Sequence, residues 1–211
     1  MKITRSLRDT LHGYIMSDGY VKKGTLTVEQ GHKQIRFVYW LYNKFIAIRT
    51  QSSVKCVTLT RIGRNGTIKT QSYRFFTRAV LHGFHYMWYQ PVLKKGKRVY
   101  KKKLPTRCEG FFSPTFLAIW YAGNGTKVIG SLGVKFEVTC FSVVERLCLK
   151  KLFKKKYNIS AVIIKSGLSK KKNTLWALKI GAKDYWKFHE LVAQHPVILH
   201  YFSYKLHKKT P

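Results

Sequence analysis

Leu11-His12-Gly13-Tyr14-Ile15-Met16-Ser17-Asp18-Gly19 and Leu117-Ala118-Ile119-Trp120-Tyr121-Ala122-Gly123-Asn124-Gly125 are the stretches whose reading decides the fold. Each places apolar and aromatic residues at helical spacing, carries a small residue at a packing position (Gly13, Ala118), and ends at a polar residue followed by glycine. They begin at residues 11 and 117, so about half of the 211-residue chain separates them. One such nonapeptide says little. Two copies half a chain apart point to a duplicated unit.

The segments that follow each copy repeat in the same order. After the first helix, predicted from Arg5 through Leu7, Leu11, Tyr14 and Ile15, come a strand at Thr25–Val28 and a helix from Ile35 to Phe45. A hairpin of Val54–Ile62 and Thr67–Phe76 follows, turning at Arg64-Asn65-Gly66, and then a helix over Ala79–Tyr89. In the second half Pro114 opens a helix and Val134–Phe141 alternates as a strand. Ser142 and Glu145 stand at capping-box spacing at the head of a helix to Tyr157. Strands at Ala161–Ser166 and Thr174–Ile180 and a helix at Ala182–Val192 complete the copy. The copies are expected at residues 1–93 and 106–211. Between them, residues 94–105 hold seven basic residues in their first ten, a linker suited to a phosphate backbone.

The paired nonapeptides, with LHGYIMSDGYV, TVEQGHKQIRFVYWLYNKF, SPTFLAIWY and HYFSYKLH around them, resemble the LAGLIDADG homing-endonuclease family in its single-chain organellar form. The resemblance runs in order along nearly the whole chain. It implies an α+β fold: a duplicated αββαββα unit whose two motif helices pack on a pseudo-twofold axis, with two antiparallel, saddle-shaped sheets over the DNA major groove. The protein is then expected to be a monomer with internal symmetry. Gly13 and Ala118 would let the two helix backbones approach.

The family also assigns the last acid of each motif a catalytic role, the pair holding divalent cations at the scissile phosphates. Asp18 matches that position in the first copy and is the candidate metal ligand. Asn124 matches it in the second, behind Ala122 and Gly123, and a neutral carboxamide is a poor ligand for Mg2+. The three adjacent departures read as natural decay. Mg2+ is therefore the expected cofactor only if the site still cleaves. Lys102, in the run Lys101–Lys103, and Lys205 match basic residues that relatives place near the phosphates.

Charge supplies the remaining signal. Lys and Arg number 41 against eight acids, a formal net charge of +33, and 30 of the 41 are Lys against only five Asn in the chain. A folded chain so one-sided repels itself unless a polyanion neutralises it. The outward strand faces are expected to carry Lys22, Lys23, Thr25, Thr27, Glu29, Lys55, Arg61, Lys69 and Gln71 in the first half. In the second they carry Lys127, Lys135, Glu137, Lys165 and Lys179. Lys94, Lys95, Lys97, Arg98, Lys101 and Lys103 in the joint, and Lys170, Lys171 and Lys172 in a turn, complete the nucleic-acid candidates. Further basic runs at Lys150–Lys156 and Lys208-Lys209 lie beyond the expected groove, which favours structured RNA over a straight duplex as the partner.

The resemblance implies a further role, since some members of the family act as intron maturases; with this charge it points to an intron maturase-like or ribosome-associated RNA binder, in an intron ribonucleoprotein or a ribosome. A site-specific DNA endonuclease or nickase is the alternative. With 45% hydrophobic and 15% aromatic residues the chain is not disordered, and no apolar run approaches the roughly 18 residues of a membrane span. Four cysteines (Cys56, Cys108, Cys140 and Cys148) lack metal-ligand spacing and read as buried thiols in a reducing compartment. The basic start without a leader pattern, and the organellar relatives, suggest an organelle-encoded protein of the mitochondrion, with the chloroplast second.

Overall fold

A computed structural model describes residues 3–63, 66–94 and 96–208. The element order in the first copy is α1 (Arg5–Met16), β1 (Tyr20–Lys22), β2 (Thr25–Gly31), α2 (Ile35–Lys44), β3 (Lys55–Gly63), β4 (Gly66–Phe76) and α3 (His82–Trp88). A hairpin of β5 (Tyr89–Lys94) and β6 (Lys97–Lys102) follows. The second copy is α4 (Pro114–Asn124), β7 (Gly125–Lys127), β8 (Gly133–Glu137), α5 (Val143–Tyr157), β9 (Ala161–Leu168), β10 (Thr174–Gly181) and α6 (Ala182–Val192). Both sheets have one strand order, β1-β2-β4-β3 and β7-β8-β10-β9, antiparallel throughout. The duplicated αββαββα plan is therefore present.

Compactness divides the chain differently from the repeat. One compact unit combines residues 1–17 with 87–211, and the other is residues 18–86. The first motif helix is thus part of the same unit as the whole second copy.

Several local expectations change. The edge strands β1 and β7, which the αββαββα plan implies, leave no local signal, because three residues are too few to show alternation. Residues 97–102, read as linker, form a strand paired with β5, since Val92 faces Val99 and Leu93 faces Arg98 across a turn at Gly96 (φ +71°). Strand β8 stops at Glu137, where the Thr139 hydroxyl takes the Trp176 N–H and replaces the ladder. The α3 helix starts three residues later than its apolar pattern. The cysteines are not uniformly buried: Cys108 is, Cys148 is half-buried, and Cys56 near the start of β3 and Cys140 in the loop before α5 are exposed. Arg64, Asn65, Lys95 and Lys209 lie outside the described residues.

Caps set the helix starts. Thr4 and Ser113 each accept an N–H from three residues on, and Pro114 occupies the first turn of α4, where no amide donor is needed. Ser142 and Glu145 form the reciprocal box on α5, and the Glu145 carboxylate also accepts the Leu104 N–H. Burial alone would raise the Glu145 pKa, but hydrogen bonds from the Ser142 and Leu104 backbone outweigh it and hold the carboxyl below its usual range.

In the larger unit the core is aromatic. Trp120 packs against Phe136 with the rings tilted (centroids 4.3 Å), and Phe116, Phe153, Tyr121 and Phe188 lie around them, all fully buried. In the smaller unit Phe37, Val38, Leu41 and Phe45 of α2 and its end are buried with Leu26, Val28 and Phe75 of the sheet. Beyond Phe75 the β3–β4 hairpin runs into solvent, with Ile62 92% exposed.

Helices α1 and α4 meet at small residues. A Cβ added to Gly13 would lie 2.8 Å from the Phe116 carbonyl oxygen and 2.8 Å from the Ile119 Cβ, and Ala118 is fully buried. At the same helix, His12 accepts the Trp88 indole N–H at Nδ1 (2.9 Å) and stacks on Phe111 (centroids 3.6 Å).

Candidate nucleic-acid interface and the two motif ends

The last turn of a helix leaves carbonyls without partners. A lysine meets them in both copies. Lys102, the final residue of β6, donates its Nζ to the Ile15 oxygen (2.5 Å) and the Ser17 oxygen (3.2 Å) at the end of α1. Lys205 donates to the Ala122 oxygen (2.6 Å) and the Gly123 oxygen (3.4 Å) at the end of α4. A cation here also complements the negative end of the helix dipole. The sequence-predicted lysines thus cap the helix end that precedes Asp18 and the one that carries Asn124.

The two ends differ in what lies beside them. At the first, the Ser17 hydroxyl bonds back to the Gly13 and Tyr14 carbonyls, α1 stops at Met16, and Asp18 follows in the chain. Asp18 is exposed, and its carboxylate accepts the Gln30 side-chain N–H at 2.9 Å. At the second, Gly123 offers no hydroxyl, and helical backbone continues through Asn124. The side chain of Asn124 has no hydrogen-bond partner among the described residues.

Sheet register extends the comparison. Tyr20 pairs with Thr27, and Thr126, its counterpart after the second motif, pairs with Lys135. Counting on from those pairs, Glu29 matches Glu137 and Gln30 matches Val138, which is fully buried. The second end therefore lacks the acid and also the amide that holds the acid. Gln30 was not singled out from sequence. Aligning Val28-Glu29-Gln30 with Phe136-Glu137-Val138 would have exposed the pair.

These donors do not fit a two-carboxylate cation site. One end offers a single exposed carboxylate and the other a neutral amide. Among the described residues, no three His, Cys, Asp or Glu side chains are grouped as a metal would need.

The basic candidates sort by strand parity. In the smaller unit Lys22, Thr25, Thr27, Glu29, Lys55 and Arg61 share the sheet face opposite Val28 and Phe75. Arg74, unremarked in the sequence, joins them. It faces both Glu29 and Lys55 and bonds the Glu29 carboxylate at 2.8 Å, while Ser72 donates to the same group at 2.6 Å. Burial alone would raise the Glu29 pKa, yet these two hydrogen bonds and the Arg74 charge leave it lowered. Lys69 and Gln71 fall on the other face, because Lys69 pairs with Thr60 and Gln71 with Thr58, in phase with Phe75. Lys23 occupies the β1–β2 turn at φ +48°, ahead of Gly24.

In the larger unit Lys135, Glu137 and Lys179 share the outer face of the sheet. Lys127 and Lys165 do not. Lys127 pairs with Val134 and Lys165 with Trp176, both on the helix-bearing side, where Trp176 lies under the Arg146 guanidinium (4.7 Å). On the β5–β6 hairpin, Lys94, Lys97 and Lys101 line one face, and Arg98 and Lys102 the other. Lys103 is half-buried just past it, its N–H on the Trp88 oxygen. Lys170, Lys171 and Lys172 are exposed at the tip of β9–β10, a turn closed by Ser169 and Asn173.

Paired motif helices with lysine-capped ends, followed by repeated antiparallel sheets, define a protein of the LAGLIDADG class. Residues 8–188 match the LAGLIDADG DNA endonuclease family, and the chain belongs to it. It is similar to the cytochrome b mRNA maturase bI2 of Saccharomyces cerevisiae, 26% identical over 97% of this chain and 48% of that protein. The bI2 maturase of Debaryomyces hansenii is 33% identical over 51% of this chain and 38% of its own length. The chain thus spans half or less of the curated relatives it matches. In fold it is similar to the homing endonuclease I-WcaI bound to its DNA recognition sequence, with a TM-score of 0.78 at 20% identity, covering 100% of this chain and 89% of the other.

Proposed function

We propose that this chain is a maturase-like binder of structured RNA, a LAGLIDADG scaffold from which double-strand cleavage has been lost. The observation that carries the reading is the second motif end, where Asn124 and the buried Val138 stand in place of the acid and amide that the first end keeps as Asp18 and Gln30. The relatives named as mRNA maturases support it. So does the spread of lysines. They occupy the outer sheet faces, the β5–β6 hairpin, the β9–β10 tip and, at Lys150, Lys151 and Lys154, the exposed side of α5. A folded RNA presents phosphates in several directions, and a straight duplex does not.

On this reading residues 1–93 and 106–211 are the two copies and the hairpin region 94–105 joins them. The partner is an intron ribonucleoprotein or a ribosome, and the compartment is the mitochondrion. Among the described residues no helix is long and apolar enough to cross a membrane.

Filter binding tests the reading. Intron RNA is expected to outcompete a duplex of 20-odd base pairs, and affinity should fall on the order of 10³–10⁵-fold between 50 and 200 mM salt for about 6–10 phosphate contacts. A strong preference for one duplex, or a flat salt response, overturns it.

A second reading rests on the Asp18–Gln30 pair: a divalent-cation-dependent nickase acting from the first end alone. Supercoiled plasmid bearing the insertion site, incubated with Mg2+ or Mn2+, separates the two. Nicking that disappears in Asp18→Asn supports the nickase.

A further inference from the structure

A cleft in the larger unit belongs to none of the surfaces above. It is built on α6, the edge strand β7 and the turns after α6, and encloses about 710 Å³, within the ~300–1,000 Å³ range of small-molecule sites. Ile198 (0% exposed) and Leu206 (6%) make an apolar floor, while the Tyr204 ring stands at the rim, 61% exposed. Lys127 and Lys208 bring positive charge to the cleft, and Gln194 brings a carboxamide. The wall does not stand alone. Lys205, between Tyr204 and Leu206, holds the α4 carbonyls, and its own carbonyl accepts the Tyr121 hydroxyl at 2.6 Å.

These groups match one ligand class. An exposed aromatic ring beside an apolar floor offers a flat face to a flat apolar partner. Two lysines call for an anion, and an amide can meet a donor–acceptor edge. A stacked duplex presents no free base face to such a cleft, and a simple apolar molecule leaves both lysines unused. A single-stranded nucleotide has all three features: a π face, a hydrogen-bonding edge and a phosphate.

We propose that the cleft formed by Tyr204, Ile198, Leu206, Lys127, Lys208 and Gln194 takes one unstacked nucleotide of a bound RNA. The position of Lys127 on the helix side of its sheet, away from Lys135 and Lys179, is then its function. The proposal rests on the RNA-binding reading and adds to it a single-stranded subsite beside the disabled motif end.

The test measures binding of a labelled 12-nucleotide single-stranded RNA and of a fully paired RNA duplex to wild type, Tyr204→Ala and Tyr204→Phe. Loss of one base–aromatic stack, ~1–3 kcal/mol, predicts single-strand binding weakened by about 5- to 150-fold in Tyr204→Ala. Tyr204→Phe keeps the ring and should match wild type, and duplex binding should be equal in all three. Cross-linking of 4-thiouridine RNA to wild type should map to residues 204–208. Equal single-strand affinity of wild type and Tyr204→Ala, with RNA binding intact, overturns the cleft and leaves the proposed function standing. Absence of RNA binding by wild type overturns both.

Discussion

Replacing Gly13 by alanine tests the contact on which the duplicated fold is built. The new methyl would lie 2.8 Å from the Phe116 oxygen, 2.8 Å from the Ile119 Cβ and 3.2 Å from its Cγ2. Comfortable carbon contacts are about 3.5–4.0 Å. The two nearest atoms are a carbonyl oxygen and a Cβ, fixed to the α4 backbone, so no rotamer change relieves them. The helices must part by several tenths of an ångström. Overpacking of this kind costs about 1–3 kcal/mol, and two rigid contacts place it in the upper half of that range. Alanine regains ~1 kcal/mol of helix propensity. The net expectation is a loss of about 1–2 kcal/mol, or a melting temperature lower by roughly 2–8 °C for a chain of this size. Gly83→Ala is the control, because a Cβ there meets nothing within 4 Å, and it should gain about 0.4–1 kcal/mol. Urea unfolding followed by tryptophan fluorescence compares them. A midpoint for Gly13→Ala at or above that of Gly83→Ala refutes the close approach.

Other outcomes follow from the same geometry. Burial, and secondarily the Arg8 charge, hold the His12 pKa down to about 3 from 6.5. The neutral ring therefore contributes fully above pH 6.5, and its contribution is lost as pH falls toward 3, about 2 kcal/mol by pH 5. Thermal melts from pH 7 to 4 should show this slope in wild type and a shallower one in His12→Gln. Lys102→Met removes charge-assisted bonds from the Ile15 and Ser17 carbonyls and should cost about 1–3 kcal/mol in 1 M salt as well as in dilute buffer. A loss seen only at low salt would mean general electrostatics and no specific cap. In plasmid assays with Mg2+, wild type should make no double-strand break, and the triple change Gly123→Asp, Asn124→Asp and Val138→Gln should introduce one. Cleavage by wild type contradicts the disabled second end. Arg74→Met should weaken RNA binding about as much as Lys55→Met, since both face the same row, whereas Lys69→Met on the opposite face should weaken it less.

How much of this was legible in the chain depended on the range of the signal. Leu11–Gly19 and Leu117–Gly125 showed their duplication because helical periodicity and a terminal glycine are local features, and Ser142 with Glu145 announced a cap for the same reason. The loss of the second acid could be read from Asn124 alone. Other features needed partners distant in sequence. Tyr20–Lys22 and Gly125–Lys127 are strands because β2 and β8 lie beside them. Lys97–Lys102 is a strand because β5 returns along it. Residue type could not place Lys69, Lys127 and Lys165 on a face, since one step of register moves a side chain across the sheet. Gln30 and Val138 became comparable only when pairing fixed the register of both sheets, and Lys102 and Lys205 became caps only when folding carried them to carbonyls more than 80 residues away. The sequence by itself determined the class of fold, its duplication and the missing acid, because each is written in neighbouring residues. Tertiary structure decided which cations share a surface, what stands beside each motif end and where a cleft opens, because those depend on contacts between segments far apart in the chain.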